Sequence, residues 1–483
     1  QDFRPSYLKI IDFVEQLPGN PIISAFTATA TEVVKNDIAR ILKLKNPNVV
    51  VTGFDRENLY YQVEHLTGKQ KDIFIQNYIE THPNESGIIY CATRKNVDTL
   101  YEKLLKQGVS VTRYHAGMSN DIRKKSQDDF IYDRAQVVIA TNAFGMGIDK
   151  SNVRFVIHYN MPQSMENYYQ EAGRAGRDGE PAKCILLFST QDVMISKLLL
   201  GSKDFEGMDF QEIEQVKHQD SRRLQLMEGY CMTTSCLRNY ILEYFGETTH
   251  QPCDNCGNCH QEFEELDMTL DAKWVVGCIT EMRGRYGQAL VIGTLLGSKK
   301  ARLKDIGATS YNCYGQLENR TEADLRLLIS QMIRMGYITQ TEGEYSVLKA
   351  GNIEDLQNKN TKIIIKKFKE KEKISTTKKH KTPFKKDSFS ASTESSSTDF
   401  TATNSSHNSA LFEALRQLRL QIAKEESVPP YIVFTDRTLI DMCSKLPQNE
   451  DEMLNVSGVG QNKLKKYGQR FLQEISAFQS ANH

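Results

Sequence analysis

The chain has no charge of one sign to spare. Its 61 Lys and Arg residues stand against 61 Asp and Glu, a formal net charge of zero at pH 7. The overall balance therefore points to no particular partner, and charge has to be read locally. Long apolar runs are missing as well. No stretch approaches the length needed to cross a bilayer, and no signal peptide opens the chain. The first residues are Gln1-Asp2-Phe3, without a methionine, so further chain is expected upstream. The pattern of a disulfide scaffold is also lacking. The ten cysteines are scattered, and Cys91, Cys184 and Cys278 lie in apolar runs, which predicts a reduced, cytoplasmic protein. A length of 483 residues exceeds one hydrophobic core, so three or four domains are expected.

What is present starts with Gln170-Glu171-Ala172-Gly173-Arg174-Ala175-Gly176-Arg177-Asp178-Gly179. Glycines let a backbone approach a phosphate closely, and arginine offers phosphate oxygens a planar fork of donors. Arginines supplied in this way stabilise charge in phosphoryl transfer. Around this loop, residues 53–204 alternate short apolar runs with amphipathic helices. Strands are expected at Gly87–Cys91, Val109–Tyr114, Val137–Ala140, Val153–His158 and Cys184–Phe188, with helices between them. That order predicts an α/β lobe, a mostly parallel sheet with helices on both faces. Ligand loops in such sheets lie beyond the carboxyl ends of the strands, where Thr93-Arg94, His115-Ala116-Gly117 and Thr141–Asp149 fall. Residues 1–52 read as a partial unit of the same kind. Ile22–Phe26 has a buried-strand pattern, and Thr31–Leu44 has helical spacing.

Beyond the lobe, residues 205–265 turn helical and then cysteine-rich. Cys236, Cys253, Cys256 and Cys259 form C-x16-C-x2-C-x2-C, four soft thiolates suited to tetrahedral zinc in a structural role. An iron–sulfur cluster is the rival. Its ferredoxin-type run needs a further cysteine where Phe263 stands. Cys231, His250 and His260 are alternative ligands. Residues 266–370 hold helices at Ala272–Arg285, Lys299–Ile306 and Glu322–Met335, the last capped near Thr321. A hairpin follows, Tyr337–Gln340 to Tyr345–Leu348 with its turn at Glu342-Gly343, and together these spell a winged helix. Residues 371–409 are lysine-, serine- and threonine-rich and read as a disordered linker. Residues 410–483 recover helical periodicity and make a small all-α domain.

In this order the motifs resemble those of bacterial RecQ-type DNA helicases. The resemblance rests on Thr27-Ala28-Thr29-Ala30, Gly53-Phe54-Asp55-Arg56-Glu57-Asn58-Leu59, Tyr114-His115-Ala116-Gly117, Ala140–Lys150 and the arginine loop, followed by the four cysteines, the winged helix and a helical HRDC-like domain. It covers essentially the whole chain. It implies a RecA-like second motor domain at 53–204, with 1–52 a remnant of the first. It also implies an ATP-dependent 3′-to-5′ DNA helicase of repair, recombination and replication. By the same resemblance Gln170, Arg174 and Arg177 are the last motor motif, whose arginines act as fingers on the γ-phosphate, and Gly147 and Asp149 serve the nucleotide. Arg94, His115 and Thr141 contact single-stranded DNA. Phe3 and Arg4 end an aromatic-rich DNA-sensing loop. Lys300 and Arg302, with Lys299 and Lys304, form a basic helix face toward duplex DNA. Tyr431 and Lys463 contact DNA from the HRDC-like domain, beside the turn Leu454–Gly460. The implied cofactors are structural Zn2+ with ATP and Mg2+. The implied partners are single-stranded DNA, duplex junctions and a single-strand-binding protein, on the nucleoid and not a membrane.

Two parts of that reaction have no counterpart in these residues. No Gly-x4-Gly-Lys-Ser/Thr phosphate loop occurs, since Gly68-Lys69 is followed by Gln70. The acidic magnesium box is absent from the motor region, Asp451-Glu452 lying in the last domain. The chain alone is therefore expected not to hydrolyse ATP. A zinc/winged-helix adaptor without a motor is the competing reading, which the intact arginine loop opposes. An RNA helicase is a third, opposed by the zinc lobe, winged helix and HRDC-like tail.

Overall fold

Ile88 and Ile89 are neighbours in one strand and serve opposite faces of one sheet. In the computed structural model, which describes residues 9–19, 21–27, 29–83, 85–145, 150–202, 209–249, 251–341, 347–353, 356, 361–368 and 405–481, both are fully buried. They belong to a six-stranded sheet of β1 (Leu59–His65), β2 (Ser86–Tyr90), β3 (Val111–Tyr114), β4 (Val137–Ala140), β5 (Val153–His158) and β6 (Ala182–Phe188). The order is β1-β6-β5-β2-β4-β3, and every pairing is parallel. β2 and β4 are buried along their whole length, which is why they appear in sequence as unbroken apolar runs.

One face packs Ile89, Val137, Ile139, Phe155 and Ile157 against helices Gly68–Thr81 and Arg94–Lys106 through Ile75, Val97 and Leu100. The other packs Ile88, Val138, Val156 and Leu186 into a core that continues without a break into Leu224, Met227, Tyr230, Leu237 and Ile241. These last residues lie on helices Phe210–Met232 and Leu237–Tyr244 of the cysteine-rich lobe. The metal lobe and the α/β lobe thus share one apolar core. A buried ion pair closes the first face: Lys71 Nζ lies 2.7 Å from Asp192 Oδ2, each side chain 2% exposed. Burial is the main influence on Lys71 and lowers its pKa, with Asp192 opposing it.

The winged-helix region has helices Thr269–Glu281, Gln288–Leu295, Ala301–Asp305 and Glu322–Arg334. Thr321 caps the last of them, its Oγ1 accepting from Asp324 N at 3.1 Å. β8 (Ile338–Gln340) pairs antiparallel with β9 (Leu348–Ala350), so the returning strand starts at the end of the stretch read from sequence. The turn at Glu342-Gly343-Glu344 lies outside the described residues. A second ribbon, β7 (Phe263–Asp267) with β10 (Ile364–Phe368), was not foreseen. It sets Lys366 opposite Glu265 and Lys367 opposite Glu264, so part of the lysine-rich run is a ladder partner for acidic residues.

Ile22–Phe26 is a correction. The segment forms no strand, and Ile22 and Phe26 are 97% and 95% exposed. An apolar run becomes a strand only with a neighbour to accept its hydrogen bonds, and none lies beside it among the described residues. Helix Glu32–Ile41 does form.

Residues 369–483 make a separate unit. Helices Ser405–Glu426, Asp436–Lys445 and Gln469–Ala481 pack Leu415, Leu439, Met442, Phe471 and Ile475 around Phe434. Arg419 is fully buried there, donating to Phe434 O at 3.0 Å and Asp436 Oδ1 at 2.7 Å.

Candidate functional site

Because β2, β4 and β3 are adjacent and parallel, the loops that follow them open side by side. After β2, Thr93 Oγ1 caps helix Arg94–Lys106 by accepting from Asn96 N at 3.2 Å. This puts Arg94 at the first helical position, exposed. After β4, Thr141 is half-buried and its N–H donates to Tyr114 O at 3.2 Å. After β3, a Cβ on Gly117 would stand 3.2 Å from the Arg94 side chain, so the two loops touch. His115 departs from expectation. It is 6% exposed, Nε2 lies 3.2 Å from Asp98 Oδ1, and Nδ1 accepts from Gly117 N at 3.2 Å. Its ring is used up in shaping the loop and does not face solvent.

The arginine loop leaves helix Met165–Ala172, which Ser164 caps through Asn167 N at 3.2 Å. Gln170 Nε2 donates to Thr29 Oγ1 at 2.5 Å, which brings the Thr27–Ala30 segment to this helix. Arg174 Nη1 donates to Gly145 O, at the end of the loop that begins with Thr141. Gly145 has φ +143°, and a Cβ there would overlap the Arg174 guanidinium, so only glycine seats the arginine. Tyr90 OH donates to Phe144 O at 3.0 Å and steadies the same loop. Burial raises the Tyr90 pKa, with Arg174 opposing. Arg177 is exposed. Gly147 and Asp149 lie outside the described residues, as do Phe3, Arg4 and Ala28. Lys150 is buried and paired with Asp133.

Several residues not assigned a role from sequence hold the arginine loop, most of them by its carbonyls. Arg56 donates to Gly173 O at 3.4 Å, Ala175 O at 3.2 Å and Gly176 O at 3.0 Å. Asn58 Nδ2 donates to Gly176 O and Glu180 O, both at 2.8 Å. Arg154 pairs with Asp178. Gly176 has φ +55° and would meet Asn58 if it carried a Cβ. The available signal was the Gly53–Leu59 motif, which carries both residues just ahead of β1, whose neighbour β6 follows the loop.

The four cysteine sulfurs lie within 4.8 Å of one another. Cys256 Sγ stands 3.5 Å from Cys259 Sγ and 3.9 Å from Cys236 Sγ, and Cys253 Sγ stands 3.9 Å from Cys259 Sγ. A zinc tetrahedron with Zn–S of about 2.3 Å has sulfur–sulfur edges of about 3.8 Å. The donor set therefore fits a single ion of that size. Contact with Cys236 lowers the Cys256 thiol pKa, and burial raises that of Cys259. His260 Nε2 instead contacts Asp254 O at 2.8 Å, and Cys231 is buried in the shared core. Neither joins the cluster, and His250 lies outside the described residues.

The basic segment differs from its expected form. The helix spans only Ala301–Asp305, with Lys300 as its N-cap and Lys299 before it. Arg302 and Lys304 are two apart and point to different sides, so there is no single basic helix face, although all four cations are exposed. In the last unit Lys463 is half-buried with its ammonium 5.5 Å from the Phe434 ring centre, and burial lowers its pKa. Lys466 pairs with Glu426 at 2.6 Å. Tyr431 is partly exposed.

Family models match along the chain in the order of these parts. They are the helicase conserved C-terminal domain at residues 70–179, the RecQ zinc-binding domain at 190–260, the RQC domain at 262–374 and the HRDC domain at 408–475. The ATP-dependent DNA helicase RecQ of Bacillus subtilis (strain 168) is 40% identical over 477 residues, which are 99% of this chain and 74% of the relative. That of Haemophilus influenzae is 34% identical, covering 98% and 72%. The RecQ-like DNA helicase BLM of Xenopus laevis is 30% identical over 99% of this chain and 35% of its own length. The cysteine cluster is the structural zinc site of the second of these domains. With the parallel α/β lobe, the arginine loop and the four-thiolate site in one order, the chain belongs to the RecQ family of ATP-dependent DNA helicases.

Proposed function

We propose that the arginine loop is the part of the motor that senses the γ-phosphate, and that the neighbouring strand-end loops grip single-stranded DNA. Arg174 and Arg177 stabilise charge on the transferring phosphoryl group, and Gln170 joins them to Thr29. Gly147 and Asp149 complete the nucleotide side. Arg94 and Thr141 hold the DNA backbone, while His115 shapes their loop. Bound ATP with Mg2+ supplies the free energy that moves the strand, in the 3′-to-5′ sense. The observation that carries this reading is the Arg174–Gly145 hydrogen bond, because one side chain of the phosphate-sensing loop is fastened to the Thr141–Gly145 loop of the DNA side. Lys300 and Arg302 add non-specific duplex contact, and Tyr431 and the lysines near Lys463 tune the choice of DNA structure. A single-strand-binding protein is the proposed protein partner, on the nucleoid, in repair and recombination.

The 483 residues contain no phosphate loop, so we further propose that they bind DNA without hydrolysing ATP. The test is DNA-stimulated phosphate release by residues 1–483 beside a full-length protein that includes a phosphate loop. Release by the longer protein alone is expected. Turnover by residues 1–483 that disappears in Arg174→Ala contradicts the proposal for the shorter chain. A full-length protein that binds DNA but never turns over supports the adaptor reading.

A further inference from the structure

Arg238 is 4% exposed, two residues beyond the zinc ligand Cys236, and its guanidinium also lies against the ligand Cys253. A buried guanidinium is costly unless its donors are used. Here the two terminal nitrogens are spent on residues 55–59. Arg238 Nη1 donates to Asp55 Oδ1 at 2.5 Å and to Arg56 O at 2.8 Å, and Nη2 donates to Leu59 O at 2.6 Å and Glu57 O at 3.3 Å. Asn255, between the ligands Cys253 and Cys256, donates to Glu57 O at 2.9 Å. The zinc lobe therefore grasps the backbone of residues 55–59 from two points. Those residues carry Arg56 and Asn58, whose side chains make four hydrogen bonds to carbonyls of the arginine loop and a fifth to Glu180 O just after it. Phe54 is anchored on the same lobe, stacked on Phe245 with ring centres 4.5 Å apart.

We propose that Arg238 is a positioning residue: through residues 55–59 and the side chains of Arg56 and Asn58, it makes the zinc lobe the outer support of the arginine loop. The catalytic consequence rests on the proposed function of that loop, whereas the mechanical link does not. The link is directional. The side-chain hydrogen bonds of Arg56 go to the loop, so losing the guanidinium frees only the loop. Arg238 holds the strap that carries Arg56, so its loss frees both strap and loop. Lysine cannot replace either arginine, because a point ammonium reaches one or two of the carbonyls that the fork spans.

Amide hydrogen exchange on residues 1–483 tests the link. Arg56→Lys is expected to speed exchange of peptides within 173–180 by about tenfold and to leave 237–244 protected. Arg238→Lys is expected to speed both 54–60 and 173–180, with one zinc retained per chain. Asp55→Asn, an exposed position, gives the same pattern more weakly and serves if Arg238→Lys fails to fold. In the full-length protein, Arg238→Lys lowers kcat for DNA-stimulated turnover about tenfold and leaves the KM for ATP within about twofold. Unchanged exchange at 173–180 in both Arg238→Lys and Asp55→Asn overturns the proposal. Faster exchange with unchanged kcat keeps the link and overturns instead the assignment of the loop to catalysis.

Discussion

The arginine loop and the basic segment of the winged helix hold the same residue type in different surroundings. Around Arg174 and Arg177 the backbone is held by five hydrogen bonds from Arg56 and Asn58 to carbonyls of residues 173–180, Arg174 is seated on Gly145, and Asp178 is tied by Arg154. Around Arg302 the helix is five residues long, and Lys299, Lys300, Arg302 and Lys304 are all exposed. Stabilising a transition state requires donors held to a fraction of an ångström, and such placement needs buried polar support. Neutralising DNA phosphates requires only nearby charge, which a solvated segment supplies. On the proposed roles, the difference teaches that buried support of the backbone, more than arginine content, separates a catalytic from an electrostatic site.

The comparison extends to the support itself, and there the largest effect is expected. Cys256→Ser removes one of four thiolates, and zinc binding in such sites contributes about 10–16 kcal/mol to folding. Zinc content and soluble yield should fall together. Because Tyr230 and Leu237 share a core with Ile88 and Val138, the α/β lobe should lose thermal stability too. Iron absorbance, or a normally folded protein free of metal, contradicts the assignment. Next in size, Arg177→Ala in the full-length protein should lower turnover by about a thousand-fold, with ATP and DNA affinity nearly intact. A fall in DNA affinity at constant turnover would make the loop a DNA contact. The smallest effect belongs to the solvated segment. Lys300→Ala with Arg302→Ala should weaken duplex binding modestly and lower the slope of log affinity against log salt by about 2, as two lost phosphate contacts require. An unchanged slope would place these cations away from DNA.

How far each region could be read from sequence follows the same division. β2, β4 and β5 were legible because strands covered on both faces are written as apolar runs. β1 was not, since Leu59–His65 alternates buried and half-buried residues at a sheet edge. β7 and β10 escaped because Phe263–Asp267 is acidic and Ile364–Phe368 basic, and each alone resembles solvated chain. Their register becomes visible only when Lys366 faces Glu265. Ile22–Phe26 carried a strand's composition without the neighbour that makes one. At the site, Arg174, Arg177 and the four cysteines stood out through local spacing. The partners of Arg56 and Arg238 did not, because they lie 117 and 183 residues away in the chain. His115 looked like a surface contact until Asp98 and Gly117 were seen to occupy its ring.

The measurement that separates placement from charge is a pair of charge-preserving substitutions in the full-length protein, Arg177→Lys and Arg302→Lys, each assayed for DNA-stimulated turnover and for duplex affinity. Both keep the cation and remove the planar fork. Arg177→Lys should lower kcat by about a hundred-fold or more with affinity unchanged, because only the fork meets the geometry of the phosphoryl group. Arg302→Lys should leave both quantities within about twofold. Equal losses at the two positions, or full turnover with Lys at position 177, would contradict the claim that the arginine loop acts through fixed geometry.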